Sequence, residues 1–95
     1  MSQNQIECIK FVPYEKNYLI GFAELFVPKW QIEIKSCGVY EKNGSRWVSL
    51  PNKEVLIDGK EQFAPIIKFR DFDLSKKFGQ LALEAVDEYR RKNNI

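Results

Sequence analysis

Histidine is missing from this chain altogether. Its absence removes the commonest general base and the commonest metal ligand. Cysteine is scarce: Cys8 and Cys37 stand far apart, with no Cys-x-x-Cys pair. Both fall in strand-like sequence and read as small buried hydrophobes. A disulfide or a metal site is the alternative reading. Glycine occurs five times but never in a run that could cradle phosphate. No apolar stretch reaches the roughly 18–20 residues that a membrane helix needs. Residues 1–5 are polar and lead straight into strand-like sequence, so no signal peptide is expected. Nor does either sign of charge dominate: 15 Lys and Arg face 13 Asp and Glu, a net of +2. That balance proves no nucleic-acid partner, because binding depends on where the charges cluster. The expectation is a soluble cytoplasmic protein without membrane contact, metal or cofactor.

What is present suits an ordered domain. The chain has 95 residues, 44% hydrophobic and 14% aromatic, which predicts one domain spanning 1–95 with a thin core. Residues 6–13 alternate loosely and stop at Pro13, and Glu15-Lys16-Asn17 reads as a turn. Residues 18–27 form the next extended segment. One face carries Leu19, Gly21, Ala23, Leu25 and Val27; the other carries Tyr18, Ile20, Phe22, Glu24 and Phe26. Both faces are largely apolar, so one should meet a helix and the other is free to meet a second subunit. A third strand is predicted over 30–41, with Trp30, Ile32 and Ile34 alternating with polar residues. Asn43-Gly44 is a strong hairpin signal. A fourth strand follows over 45–50, with Trp47 and Val48 on opposite faces. Asp58-Gly59 marks an exposed loop or the tip of a β-ribbon. A fifth strand is predicted over 63–69, at an edge because of Pro65.

The period then changes. Leu74, Phe78, Leu81, Ala82, Ala85 and Tyr89 form one stripe at helical spacing, with Val86 at its margin and Leu83 almost opposite. Asp73 or Ser75 is expected to cap this helix, and Arg90-Arg91-Lys92 complements its C-terminus. The predicted fold is α+β: an antiparallel four- or five-stranded meander with one C-terminal helix packed on a face. Phe78, Leu81 and Ala85 are expected to bury against Leu19, Ala23 or Leu25. Unpaired strand edges and the two-sided apolar strand predict self-association, a dimer first of all.

Catalysis finds no constellation. Ser36 and Cys37 have no histidine to activate them, Asp71 and Asp73 suit a helix start, and Glu84 with Glu88 suits a solvated helix face. No enzyme is expected. Basic residues offer more. Arg46, Lys53, Lys68, Lys76 and Lys77 flank Pro51 or the beginning of the helix, and their convergence would make a basic rim beside Trp47. Such a rim could hold phosphates while an exposed aromatic stacks a base. Solvated lysines and a core tryptophan are the plainer alternative.

Residues 32–69 resemble the stage V sporulation protein G (SpoVG, septation regulator) family. The matching residues are Ile32, Ile34, Asn43-Gly44, Trp47-Val48, Pro51, Lys53, Asp58-Gly59, Phe63, Pro65 and Ile66, and Glu88-Tyr89-Arg90 resembles the end of the family's closing helix. The resemblance implies a small homodimeric regulator that binds nucleic acid, DNA ahead of RNA. It points to Lys53, and with the basic residues above it makes Arg46, Lys53, Lys60, Lys76 and Lys77 the expected phosphate contacts. Two positions depart from the family pattern: Glu54 follows Lys53, and Lys60-Glu61 follows the Asp-Gly turn where an arginine is common. A protein-interaction module without nucleic-acid binding is the alternative expectation.

Overall fold

Three two-residue turns organise the strands. In a computed structural model describing residues 6–95, Asn17, Asn43 and Asp58 have φ of 57°, 52° and 54°. Gly44 and Gly59, at 84° and 76°, complete the last two turns. Positive φ at both central residues is what a type I′ hairpin turn requires. The segment at 1–5, read above as polar and free of a signal peptide, lies outside the described residues. The turns link β1 (Glu7–Lys16) to β2 (Leu19–Val27), β3 (Ile32–Lys42) to β4 (Ser45–Ser49), and β5 (Asn52–Ile57) to β6 (Lys60–Pro65). The helix α1 (Phe72–Asn93) closes the described chain.

The first four strands form an antiparallel sheet in the order β1-β2-β3-β4, and β5 and β6 form a separate ribbon. The α+β meander with one C-terminal helix is therefore present, with six strands in two sheets. The fifth predicted strand shifts to Lys60–Pro65, and Asp58-Gly59 is the tip of a β-ribbon, not an exposed loop, which adds β5 before it. Strand β1 runs through Pro13 to Lys16, moving the first turn to Asn17 and Tyr18. Pro13 is tolerated because β1 is an edge strand, where a missing N–H need not break a ladder. Trp30, expected in β3, lies in the turn before it.

Bulges keep the apolar residues on one face. In β3, Ile34 pairs with Leu25 but Cys37 pairs with Ala23, so the strand holds one extra residue between them. Ser36 takes a φ of 62° there. The inward set thus changes from Ile32 and Ile34 to Cys37 and Val39 without leaving the helix side. In β1, Cys8 pairs with Leu25 and Phe11 with Ala23, across a similar irregularity. Bulges bend and twist a sheet. The bent sheet lets α1 touch both edge strands, β1 and β4, while lying over β2 and β3.

The core sits between this face and the helix. Leu25, Cys37, Val39, Ala82 and Val86 are fully enclosed, with Phe11, Ala23 and Ala85 nearly so. The helix stripe is rotated from the expected one. Val86 lies at its centre, Phe78 and Leu81 are half-buried, and Leu74 is exposed. Only Ala85 of the three residues expected to bury is closed from solvent. The cap also falls earlier than expected: Leu74 N–H donates to the Asp71 carboxylate at 3.0 Å. Asp71 is extended, as an N-cap should be. At the other end Asn94 takes the left-handed conformation and its N–H returns to Arg90.

Gly21 is required by Phe11. A Cβ at position 21 would fall 2.4 Å from the Phe11 ring. The same ring also meets the Arg90 guanidinium, 4.9 Å from its centroid. Gly21→Ala should therefore overpack the site and lower stability by about 1–3 kcal/mol. Leu25→Ala should cost about 2–5 kcal/mol through the cavity it leaves. Urea unfolding checks both, with lower midpoints and unchanged m values expected.

Candidate nucleic-acid interface

The β5–β6 ribbon divides its side chains by register. Lys53 pairs with Ala64, Val55 with Gln62 and Ile57 with Lys60, and these six share one face. Glu54 pairs with Phe63 and Leu56 with Glu61 on the other. One face is thus basic and the other acidic and apolar. Lys53 and Lys60 lie about 13 Å apart along the basic face, four residues at strand rise. Neither forms an ion pair among the described residues. The ribbon has no substantial packing against the sheet or the helix. Its base is closed by Ile66 N–H donating to Pro51 C=O at 3.2 Å.

Lys76 and Lys77 are exposed in the second turn of α1. Lys77 borders a cleft of about 580 Å³ on the helix side of the sheet, together with Lys29 and Lys68. Its walls are apolar: Trp30, Ile34, Ile67, Phe69, Leu74 and Phe78. Lys76 turns about 100° away from Lys77 around the helix. Asp71 already occupies the helix N-terminus and Asp73 adds charge in the first turn. An anion near this end would therefore meet the lysine ammonium groups and not the helix amides.

Arg46 is differently placed. Its guanidinium grips Asp87 of α1 with both nitrogens, Nη1 to Oδ1 and Nη2 to Oδ2, the latter at 2.8 Å. The hydrogen bond to Asp87 raises the Arg46 pKa above its already high ordinary value. Trp47, next in sequence, points to the other side of the sheet. Its cross-strand partner is Tyr40, and the rings stack at 5.6 Å and 10°. The expected rim of Arg46, Lys53, Lys68, Lys76 and Lys77 beside Trp47 does not form: Arg46 is held at Asp87, Lys53 stands on the ribbon, Lys68 and Lys77 line the cleft, and Trp47 faces the other side of the sheet.

The open sheet face was missed as a unit. Beside the Tyr40–Trp47 stack it carries Tyr14 and Phe22, with ring centroids 5.9 Å apart. The signal was available in part: a two-residue turn at Asn43-Gly44 forces Tyr40 opposite Trp47. Lys29, on the cleft rim, has no sequence signal that sets it apart from the other basic residues. Both cysteines are free thiols. Burial, and then the nearby Cys8 thiol, push Cys37 up to about 12. Burial also raises Cys8, whose thiol donates to Lys10 C=O at 3.3 Å. Among the described residues no cluster of side chains could hold a metal ion, and no helix is long and apolar enough to cross a membrane.

Comparison with protein-family models, curated proteins and solved structures gave no match.

Two outcomes are expected from this geometry. The Arg46–Asp87 side chains are about one-third exposed, 34% and 35%. Solvent screening then limits the cost of Arg46→Ala to about 1 kcal/mol or less, read by urea unfolding at low and high salt. The Cys37 thiol is protonated in both folded and unfolded chains below pH about 8.5. Above that the unfolded thiol ionises first, so stability should fall with rising pH towards 12. A Cys37→Ala comparison isolates this slope.

Proposed function

We propose that this chain is a non-catalytic nucleic-acid-binding regulator of the stage V sporulation protein G type, acting in the cytoplasm as a homodimer and taking DNA ahead of RNA. The observation that carries the reading is the basic face of the projecting ribbon. Lys53 and Lys60 stand there on one side, without acidic partners among the described residues. Lys76 and Lys77 add positive charge at the start of α1. The order of elements also agrees with the resemblance: β3, the Asn43-Gly44 turn, Trp47-Val48, Pro51, a ribbon tipped by Asp58-Gly59, then the closing helix. Phosphate contacts from lysines release counterions and carry little sequence information, so binding is modestly selective and strongly salt-dependent. Arg46 is committed to Asp87 and takes the smallest part.

A second reading, a protein-interaction module, is favoured by the uncovered aromatic face with Tyr14, Phe22, Tyr40 and Trp47.

A mobility-shift titration with single- and double-stranded DNA and RNA at two salt concentrations separates the readings. Binding is expected, and Lys53→Glu with Lys60→Glu should weaken it for every sequence. The salt slope on duplex DNA should drop by about 0.9 for each phosphate that the variant no longer neutralises. Arg46→Ala should change that slope least. Absence of any shift at about 10⁻⁴ M protein, the weak end of non-specific affinity, would overturn the nucleic-acid reading and leave the interaction module.

A further inference from the structure

The ribbon and the cleft are two incomplete halves of one contact. A two-stranded ribbon is marginal in water unless a further element covers it. Here Leu56 and Phe63, on its acidic face, are 74% and 71% exposed. The cleft is open, apolar and rimmed by Lys29, Lys68 and Lys77. Glu54 and Glu61 flank Leu56 and Phe63 on the ribbon, so the two surfaces match in both polarity and charge.

A ribbon cannot fold into the cleft of its own chain. Only Leu50 and Pro51 separate β4 from β5, and Leu50 and Ile67 themselves line the cleft. Proline stiffens this connection, and the Ile66–Pro51 hydrogen bond closes the ribbon's base. The ribbon must therefore leave the cleft from which it starts. Its six-residue strands reach about 20 Å, enough to lie on a neighbour. Short hinge connections invite exchange between copies.

We infer that two copies exchange ribbons, the Leu56–Phe63 face of each entering the lysine-rimmed cleft of the other. Two-fold symmetry makes the contact twice and closes the pair. The Lys53–Lys60 face and Lys76 stay outward, free for phosphates, while Lys77 is taken up by the contact between copies. This inference rests on the homodimer within the reading above and is independent of nucleic-acid binding.

Sedimentation of mixed variants tests it with the full chain. The wild type should run at twice 11.2 kDa at tens of micromolar. An arm variant, Leu56→Asp with Phe63→Asp, and a cleft variant, Leu74→Asp, should each run as monomers with the wild-type circular dichroism spectrum. Mixed one to one, they should recover a dimer, because one intact arm still meets one intact cleft. Should either variant unfold, the exposed charge variant Glu54→Lys with Glu61→Lys replaces the arm variant and Lys68→Glu with Lys77→Glu the cleft variant. Each should dissociate alone, and the two should reassociate when mixed. A monomeric wild type overturns both the homodimer and the exchange. A dimeric wild type whose folded variants stay dimeric, or fail to complement, overturns the exchange alone and leaves the homodimer standing through another surface.

Discussion

The seating of α1 on the bent face of the β1–β4 sheet is the constraint from which the other features follow. Ala82, Ala85 and Val86 meet Ala23, Leu25, Cys37 and Val39, and nearly all of the deeply buried surface lies in this contact. The small residues on the helix let it approach closely. The bulges in β1 and β3 keep the inward faces apolar and curl the edges around it. Phe11 extends the same contact, held between the bare backbone of Gly21 and the Arg90 guanidinium. Arg46 and Asp87 pin β4 to the helix at the rim.

Among the described residues one helix covers one face of the sheet, and no second helix covers the other. The opposite face therefore keeps its aromatic residues in contact with solvent, and the ribbon stands away from the core. These surfaces carry the functional reading. The basic side of the ribbon offers the ammonium groups of Lys53 and Lys60 on one face. Its acidic and apolar side is open to solvent, and the proposed exchange would cover it in the cleft of another copy. In the proposed reading, nucleic-acid contact and self-association use opposite faces of the same two strands.

Much of the local structure was legible. Asn43-Gly44 and Asp58-Gly59 are turns because few other residues accept positive φ, and period two groups Gly21, Ala23, Leu25 and Val27 on one face, though it put Leu19 with them where the register shifts and Ile20 turns to the core. The change to helical period after residue 71 placed α1. Local reading failed where a neighbour altered the outcome. The bulge at Ser36 shifts β3 from even to odd inward positions, which no fixed period describes. Val86 was placed at the stripe's margin because the sheet's curvature, not the helix pattern, decides which helix residues sink deepest.

The lysines of the candidate site were individually visible, and so was their sign. By itself the sequence determined the turns at Asn43-Gly44 and Asp58-Gly59, most of the extended segments of the first sheet, the closing helix and which side chains carry charge, since those depend on φ preferences and short-range periodicity. Only the tertiary structure decided that Arg46 is bound to a carboxylate 41 residues away, that Trp47 faces away from the basic cleft, and that Lys53 and Lys60 share an uncovered ribbon face. Such outcomes depend on which distant segments meet and which find no partner, and that follows from packing the whole chain around one thin core.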